Sequence, residues 1–285
     1  MEQFELEPGR PLGLISGGGQ LPLLIAKAAR QRGHKVMAVA HKGETDTSIE
    51  RYCSCVKWLR LGQLNKLISF FKKKGVDSVV LAGTITKTRI FFDIRPDFRA
   101  IALWNKLDGH LDDRILRAVA QELEKDGIKV LHYTGLLSDL LFPAGVLTKR
   151  APSEDEQRDI RFGFNLARQI GKLDIGQCIV VKDATVLAVE AIEGTDETIK
   201  RGGRLGGKGV VVIKVCKPGQ DTRFDLPSLG TKTVETMIKS GARVLAAEAG
   251  KTLFFDRCKA LELADRHGLT IVGMELAEME EERGI

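Results

Sequence analysis

The residues best suited to chemistry in this chain are glycines, cations and carboxylates gathered in five stretches. In SGGGQLP, Gly17, Gly18 and Gly19 stand between a short apolar run and a helical pattern. Glycines there let backbone N–H groups approach an anion, and a following helix favours negative charge at its N-terminus. The spacing is neither the G-x-G-x-x-G of a dinucleotide site nor the Lys-Ser/Thr ending of a P-loop. A tight strand-to-helix turn that binds nothing is the alternative. LAGTITK offers Gly83, Thr84, Thr86 and Lys87 after a later apolar run. Ligands of open α/β sheets gather beyond the carboxyl ends of the strands. The two loops are therefore expected on one sheet edge, where together they suit a nucleotide.

LDGHLDDRIL places Asp108, Asp112 and Asp113 ahead of a helical pattern. They serve either as helix caps or as contacts to substrate or metal. AIEGTDETIKRGGRLGGKG joins Glu193, Gly194, Thr195 and Asp196 to Lys200, Arg201, Arg204 and Lys208. Glycine-spaced cations suit a diphosphate, and a flexible surface loop is the rival reading. KVCKPGQDTRFDLPSLGTKTV carries Lys214, Asp221, Arg223 and Asp225, then Thr231, Lys232 and Thr233 at a helix start that can receive a phosphate. A carboxylate among cations suits a magnesium ion or a base for water, unless Asp225 merely pairs with a nearby cation. The five histidines are scattered, and none forms a triad pattern with serine or cysteine. That points away from acyl transfer and towards metal-assisted hydrolysis of a phosphoanhydride, where positioning and charge neutralisation dominate.

These stretches need a scaffold. At 285 residues the chain exceeds what one hydrophobic core usually supports, so two domains are expected. Residues 1–135 alternate apolar strand patterns with helices, which predicts a Rossmann-like parallel sheet. Residues 136–152 break the pattern and read as a linker. Residues 153–285 open on a capping box, Ser153 with Glu156, and continue as an α/β domain with a mixed sheet that includes a hairpin around Lys182-Asp183. A 43% hydrophobic and 29% charged composition is that of a soluble globular protein. No apolar run approaches the roughly 18 residues of a membrane span, and the acidic N-terminus is no signal peptide, so a cytoplasmic location is expected. The net charge of +6 suits anionic partners without choosing among them. The five cysteines, including the CxC of Cys53 and Cys55, read as packing residues rather than a disulfide or zinc framework.

GLISGGGQLP, HLDD, AIEGTD, KVCKPGQDTRFDLPSLG and TIVGME, in this order, resemble the LpxI-type UDP-2,3-diacylglucosamine pyrophosphatases over about residues 11–275. The resemblance implies hydrolysis of UDP-2,3-diacylglucosamine to 2,3-diacylglucosamine 1-phosphate (lipid X) and UMP, in lipid A biosynthesis. It implies a magnesium-dependent homodimer, peripheral at the cytoplasmic face of the inner membrane of a Gram-negative bacterium, with no nucleic-acid partner. Carried over, the family's carboxylate in RFDLP falls on Asp225, assigned to magnesium or water activation. Asp196 and Asp113 are further candidates for the same site. Lys208 and Lys214 would neutralise the diphosphate, and Gly17 to Gly19 would hold the UDP moiety. A non-catalytic sugar-nucleotide binder and a glycosyltransferase using a lipid-sugar nucleotide are the alternative functions.

Overall fold

A computed structural model describes Phe4 and residues 6–85, 95–105 and 112–276, the side chains of 112 and 113 excepted. In the first part of the chain, β1 (Leu12–Ser16), β2 (Val36–His41), β3 (Cys55–Leu59), β4 (Ser78–Ala82) and β5 (Lys129–Val130) form a parallel sheet in the order β3-β2-β1-β4-β5. Every residue of β1 and β4 is buried, as expected where helices cover both faces. On one face α2 (Leu64–Lys73) and α4 (Asp112–Lys125) bring Leu67, Phe71, Ala120 and Leu123 against Ile15, Val39, Val79 and Leu81. α1 (Leu21–Gln31) buries Ile25, Ala26 and Ala29 and opens with Pro22, whose missing N–H is harmless in a first turn. α3 (Phe98–Trp104) is capped by the Asp97 carboxylate, which accepts from the Ala100 N–H. The sequence reading missed β3, whose half-exposed CVKWL lacks the continuous apolar run of its neighbours.

The second sheet has the order β6-β13-β11-β9-β7-β8. Its centre, β9 (Val210–Lys214), β11 (Ala242–Glu248) and β13 (Thr270–Met274), is parallel. β7 (Cys178–Lys182) and β8 (Thr185–Val189) add an antiparallel hairpin at one edge, and β6 (Gly145–Val146) pairs antiparallel at the other. The hairpin turns where the sequence predicts. Asp183 and Ala184 both have positive φ, and their N–H groups donate to the buried Asp159 carboxylate at 3.0 and 2.7 Å. α5 (Glu154–Lys172) begins with the expected capping box and covers one face, with Phe164 and Ala167 near Val211 and Ile213. α6 (Thr195–Gly206), α7 (Thr231–Lys239) and α8 (Arg257–Arg266) cover the other, where Ile199, Val234, Met237 and Ala260 meet Val210, Val212 and Leu245. Period-two alternation along β9 puts Lys214 on this second face, with Val210 and Val212. A short parallel pair, β10 (Ser228–Leu229) with β12 (Leu253–Phe254), completes this half.

The units differ from the expected division at 136–152. Met1–Ser138 and Asp221–Asp225 form one compact unit, and Asp139–Gln220 with Leu226–Ile285 the other. β6 therefore lies inside the stretch read as a linker. Asp221–Asp225, placed by the sequence reading in the C-terminal domain, groups with the first unit. The reason is packing. Phe224 is 5% exposed and sits in the apolar cluster of Leu81, Leu123 and Val130. Beside it Arg223 lies 4.9 Å over the Phe224 ring and pairs with Asp221 and Glu124. Burying one such aromatic stabilises by roughly 1.5–3 kcal/mol.

Candidate functional site

Two groups of the predicted residues come together, one in each unit. In the first unit the order β2-β1-β4 places the switch point between β1 and β4, and both glycine loops leave the sheet there. The loops touch. The Gly17 N–H donates to the Ala82 carbonyl at 2.8 Å, the Gly18 N–H to the Thr84 carbonyl at 2.7 Å, and the Thr84 N–H to the Gly18 carbonyl at 3.1 Å. A side chain at Gly17 would meet the Thr84 carbonyl at 2.6 Å, and one at Gly83 the Gly18 carbonyl at 2.5 Å. The N–H groups of Gly17 and Gly18 are thus spent on bonds to the end of β4 and to the loop that follows it. Gly19, exposed with φ +83, and the start of α1 are what this edge presents outward.

Behind the loops, Ser16 ends β1 with a carbonyl that accepts from the Thr45 hydroxyl at 2.6 Å and from His41 Nδ1 at 2.9 Å. A carbonyl only accepts, so Nδ1 carries the hydrogen. Burial pushes the His41 pKa down and outweighs the Ser16 bond, which favours the neutral ring. The sequence reading had counted His41 only among scattered histidines.

The second group surrounds a pocket of about 300 Å³ in the second unit, lined by Glu193, Gly194, Thr195, Asp196, Lys214, Ser228 and Thr233. Six of these were predicted as site residues, and no lining side chain is a large apolar one. Two helices start here. α6 opens with Gly194 at φ +82 and brings Thr195 and Asp196, while α7 brings Thr233. Both helix N-termini favour an anion. Lys214, 5% exposed at the end of β9, donates to Thr195 Oγ1 and to the Ser228 carbonyl, each at 3.0 Å. Thr195 Oγ1 in turn lies 2.8 Å from Oε1 of Glu190, a buried carboxylate that also accepts from the Gln177 N–H at 3.3 Å. Asp196 pairs with the exposed Lys232 at 2.9 Å. The Glu193 carboxyl is held below its usual range by its own backbone N–H and by the Arg201 guanidinium at 2.6 Å. The arrangement offers one buried ammonium, two helix N-termini and several hydroxyls, which is a means of holding phosphate oxygens. Glu190 and Ser228 were missed by sequence reasoning. The available signal for Glu190 was a lone carboxylate closing the apolar run TVLAV.

The remaining predicted residues fall elsewhere. The stretch whose glycine-spaced cations suited a diphosphate is mostly helix α6, so Lys208 lies beyond its C-terminal end, about 18 Å along a 12-residue helix from Thr195. It is exposed and does not join Lys214. Lys200 and Arg201 pair with Glu197 and Glu193. Asp225 is exposed and belongs to the first unit, and its N–H donates to the Asp221 carbonyl at 3.4 Å. Lys87 and the Asp113 side chain lie outside the described residues, as do Thr86, Asp108 and the Asp112 side chain. Among the described residues no three His, Cys, Asp or Glu side chains gather as a metal cage. Burial pushes the Cys53 thiol up to about 12.

A Rossmann-like sheet with glycine loops at its switch point, joined to a mixed-sheet unit with a polar pocket at two helix N-termini, defines a two-unit α/β protein. The chain belongs to the LpxI family. Sequence models of the LpxI N-terminal and C-terminal domains match residues 11–140 and 143–272. The UDP-2,3-diacylglucosamine pyrophosphatase LpxI of Caulobacter vibrioides is 33% identical over 280 residues, covering 94% of this chain and 99% of that one. Among solved structures, an ADP complex of the N5-carboxyaminoimidazole ribonucleotide synthetase purK is 18% identical over 64% of this chain and 34% of its own length, with a TM-score of 0.29. An N5-carboxyaminoimidazole synthetase from Staphylococcus aureus is 14% identical over 72% and 46%, also at 0.29. Likeness at that level carries no functional weight.

Proposed function

We propose that this protein hydrolyses the diphosphate of UDP-2,3-diacylglucosamine to 2,3-diacylglucosamine 1-phosphate and UMP, a step of lipid A biosynthesis. The observation that carries the reading is the end-to-end likeness to the Caulobacter pyrophosphatase. The polar pocket around Lys214 supports it, because its charge and hydroxyls suit a phosphorylated headgroup. This pocket has neither the room nor the apolar wall for two acyl chains, so it would receive the phosphorylated part of the substrate and not its lipid. In the reaction, water oxygen bonds to one phosphorus as the bridging P–O bond breaks, and the departing phosphate keeps the bridging oxygen.

Asp225 is proposed as the carboxylate that activates water or holds magnesium, a role that rests on the RFDLP match. Magnesium usually takes one or two carboxylates plus substrate phosphates, and the exposed Asp225 fits that mode better than an all-protein cage. The ion would neutralise charge on the diphosphate. We further propose a homodimer acting at the inner-membrane surface of a Gram-negative cell. The net charge of +6 suits an anionic surface, and among the described residues no helix is long and apolar enough to cross a membrane. Sedimentation, alone and with anionic vesicles, tests both points.

The decisive assay resolves UMP, UDP and lipid products. UMP with lipid X, dependent on magnesium, is expected. UDP would indicate glycosyl transfer, and binding without turnover would indicate a carrier. Asp225→Ala is expected to lose at least about 100-fold in kcat while the fold persists, in the range of a lost acid-base or metal-binding group. Full activity in that variant removes the assignment.

A further inference from the structure

We propose that Glu190 is a positioning residue that acts through Thr195 to fix the Lys214 ammonium at the pocket, where the lysine binds a phosphate of the ligand. The identity of that ligand rests on the pyrophosphatase reading. The positioning itself rests on geometry.

The hydrogen-bond directions are forced. An ammonium has three donors and no acceptor. Lys214 Nζ must therefore donate to Thr195 Oγ1, at 3.0 Å. That leaves the single Thr195 hydroxyl hydrogen for Glu190 Oε1, at 2.8 Å. The Ser228 carbonyl takes a second Lys214 hydrogen, at 3.0 Å. Two of three donors are thus used within the protein, and Lys214 is among the residues that line the pocket, which leaves one N–H for a ligand there. The Gln177 N–H donates to the other Glu190 oxygen, at 3.3 Å, and fixes the carboxylate from behind.

Burial gives the relay its purpose. Lys214 is 5% exposed and Glu190 7% exposed, and opposite charges withdrawn from water this far require each other. A free lysine side chain samples many rotamers, and ordering it on binding costs affinity. Here the ordering is done before the ligand arrives, so the charge is preset where phosphate charge must be met. Direct contact between Glu190 and Lys214 would consume the lysine. The intervening hydroxyl passes the carboxylate's pull on and leaves one N–H for the ligand.

The test compares Lys214→Met, Thr195→Val, Thr195→Ser, Glu190→Gln and the double variant Thr195→Val with Lys214→Met. Two readouts are used: UMP release from UDP-2,3-diacylglucosamine with magnesium, and calorimetric binding of inorganic pyrophosphate. Thermal unfolding within a few degrees of wild type identifies folded variants. Lys214→Met is expected to lose about 100-fold in kcat/KM, as for removal of a charge-stabilising donor. Thr195→Val should lose about 30-fold, Glu190→Gln about 10-fold, and Thr195→Ser should stay within about 3-fold because it keeps the hydroxyl. The double variant should be no worse than Lys214→Met alone, since one lysine carries all three effects. Pyrophosphate affinity should fall in the same order. Independent, multiplying effects of Thr195→Val and Lys214→Met overturn the proposal, as does wild-type pyrophosphate affinity in Thr195→Val. If the wild-type protein releases no UMP but Thr195→Val still weakens pyrophosphate binding relative to Thr195→Ser, the pyrophosphatase reading fails and the positioning role stands.

Discussion

His41 and Asp221 tie the stability of the first unit to pH through the direction in which folding moves their pKa values. Burial holds the His41 pKa below its ordinary value, so the unfolded chain takes up a proton first as pH falls. Its contribution is complete above the unfolded value of about 6.5 and is lost as pH drops below it. For Asp221, burial pushes the pKa up, but the Arg223 bonds outweigh it and hold the carboxyl low. That contribution is present above the unfolded value of about 3.9 and lost on further acidification. We expect the urea midpoint to fall between pH 8 and pH 5.5, with a smaller fall in His41→Gln. Equal slopes in both proteins would show that His41 is not the source. Residue types were legible where a motif gathered them: Glu193 to Asp196, Lys214 and Thr233 do meet at one pocket. Glu190 was not, because a partner 5 and 24 residues away along the chain leaves no spacing signature.

At the scale of elements, α6 is the instructive case. Its Gly202, Gly203 and Gly206 space the cations of TDETIKRGGRLG, for which a flexible loop is the sequence's rival to a diphosphate site. In the structure they are points of close approach. A Cβ at Gly202 would meet Val180 at 2.5 Å, one at Gly203 the Ser240 carbonyl at 2.1 Å, and one at Gly206 the Leu187 side chain at 2.3 Å. Helix propensity argues against three glycines in 12 residues, at roughly 1 kcal/mol each, and helix-to-sheet packing overrides it. Gly203→Ala is therefore expected to destabilise the second unit, by about 1–3 kcal/mol, although alanine is the better helix former. Chemical denaturation checks this, and a stabilised variant would refute the packing account. The same reasoning explains Lys208. Once the segment is a helix, its length carries Lys208 away from the pocket that Thr195 enters.

For the whole molecule, the notable feature is a unit that is discontinuous in sequence. Phe224 comes late in the chain yet fills the core of the first unit with Leu81, Leu123 and Val130. Phe224→Ala is expected to cost about 3–5 kcal/mol, as a large core truncation does. Hydrogen exchange should speed up in β1, β4 and β5 more than in the six-stranded sheet. Loss of protection confined to the second unit would contradict that placement. By itself the sequence determined the two α/β halves, the parallel and mixed sheets, the family, and most residues of the polar pocket. Apolar periodicity, caps and ordered motifs are local properties, and they survive without coordinates. Only the tertiary structure decided that the Gly17 and Gly18 amides bond to the facing loop, that 195–206 is a helix, that Asp221–Asp225 joins the first unit, and that Glu190 stands behind Lys214. Each of those depends on which distant backbone or side chain lies within a few ångströms, and spacing along one chain does not encode that.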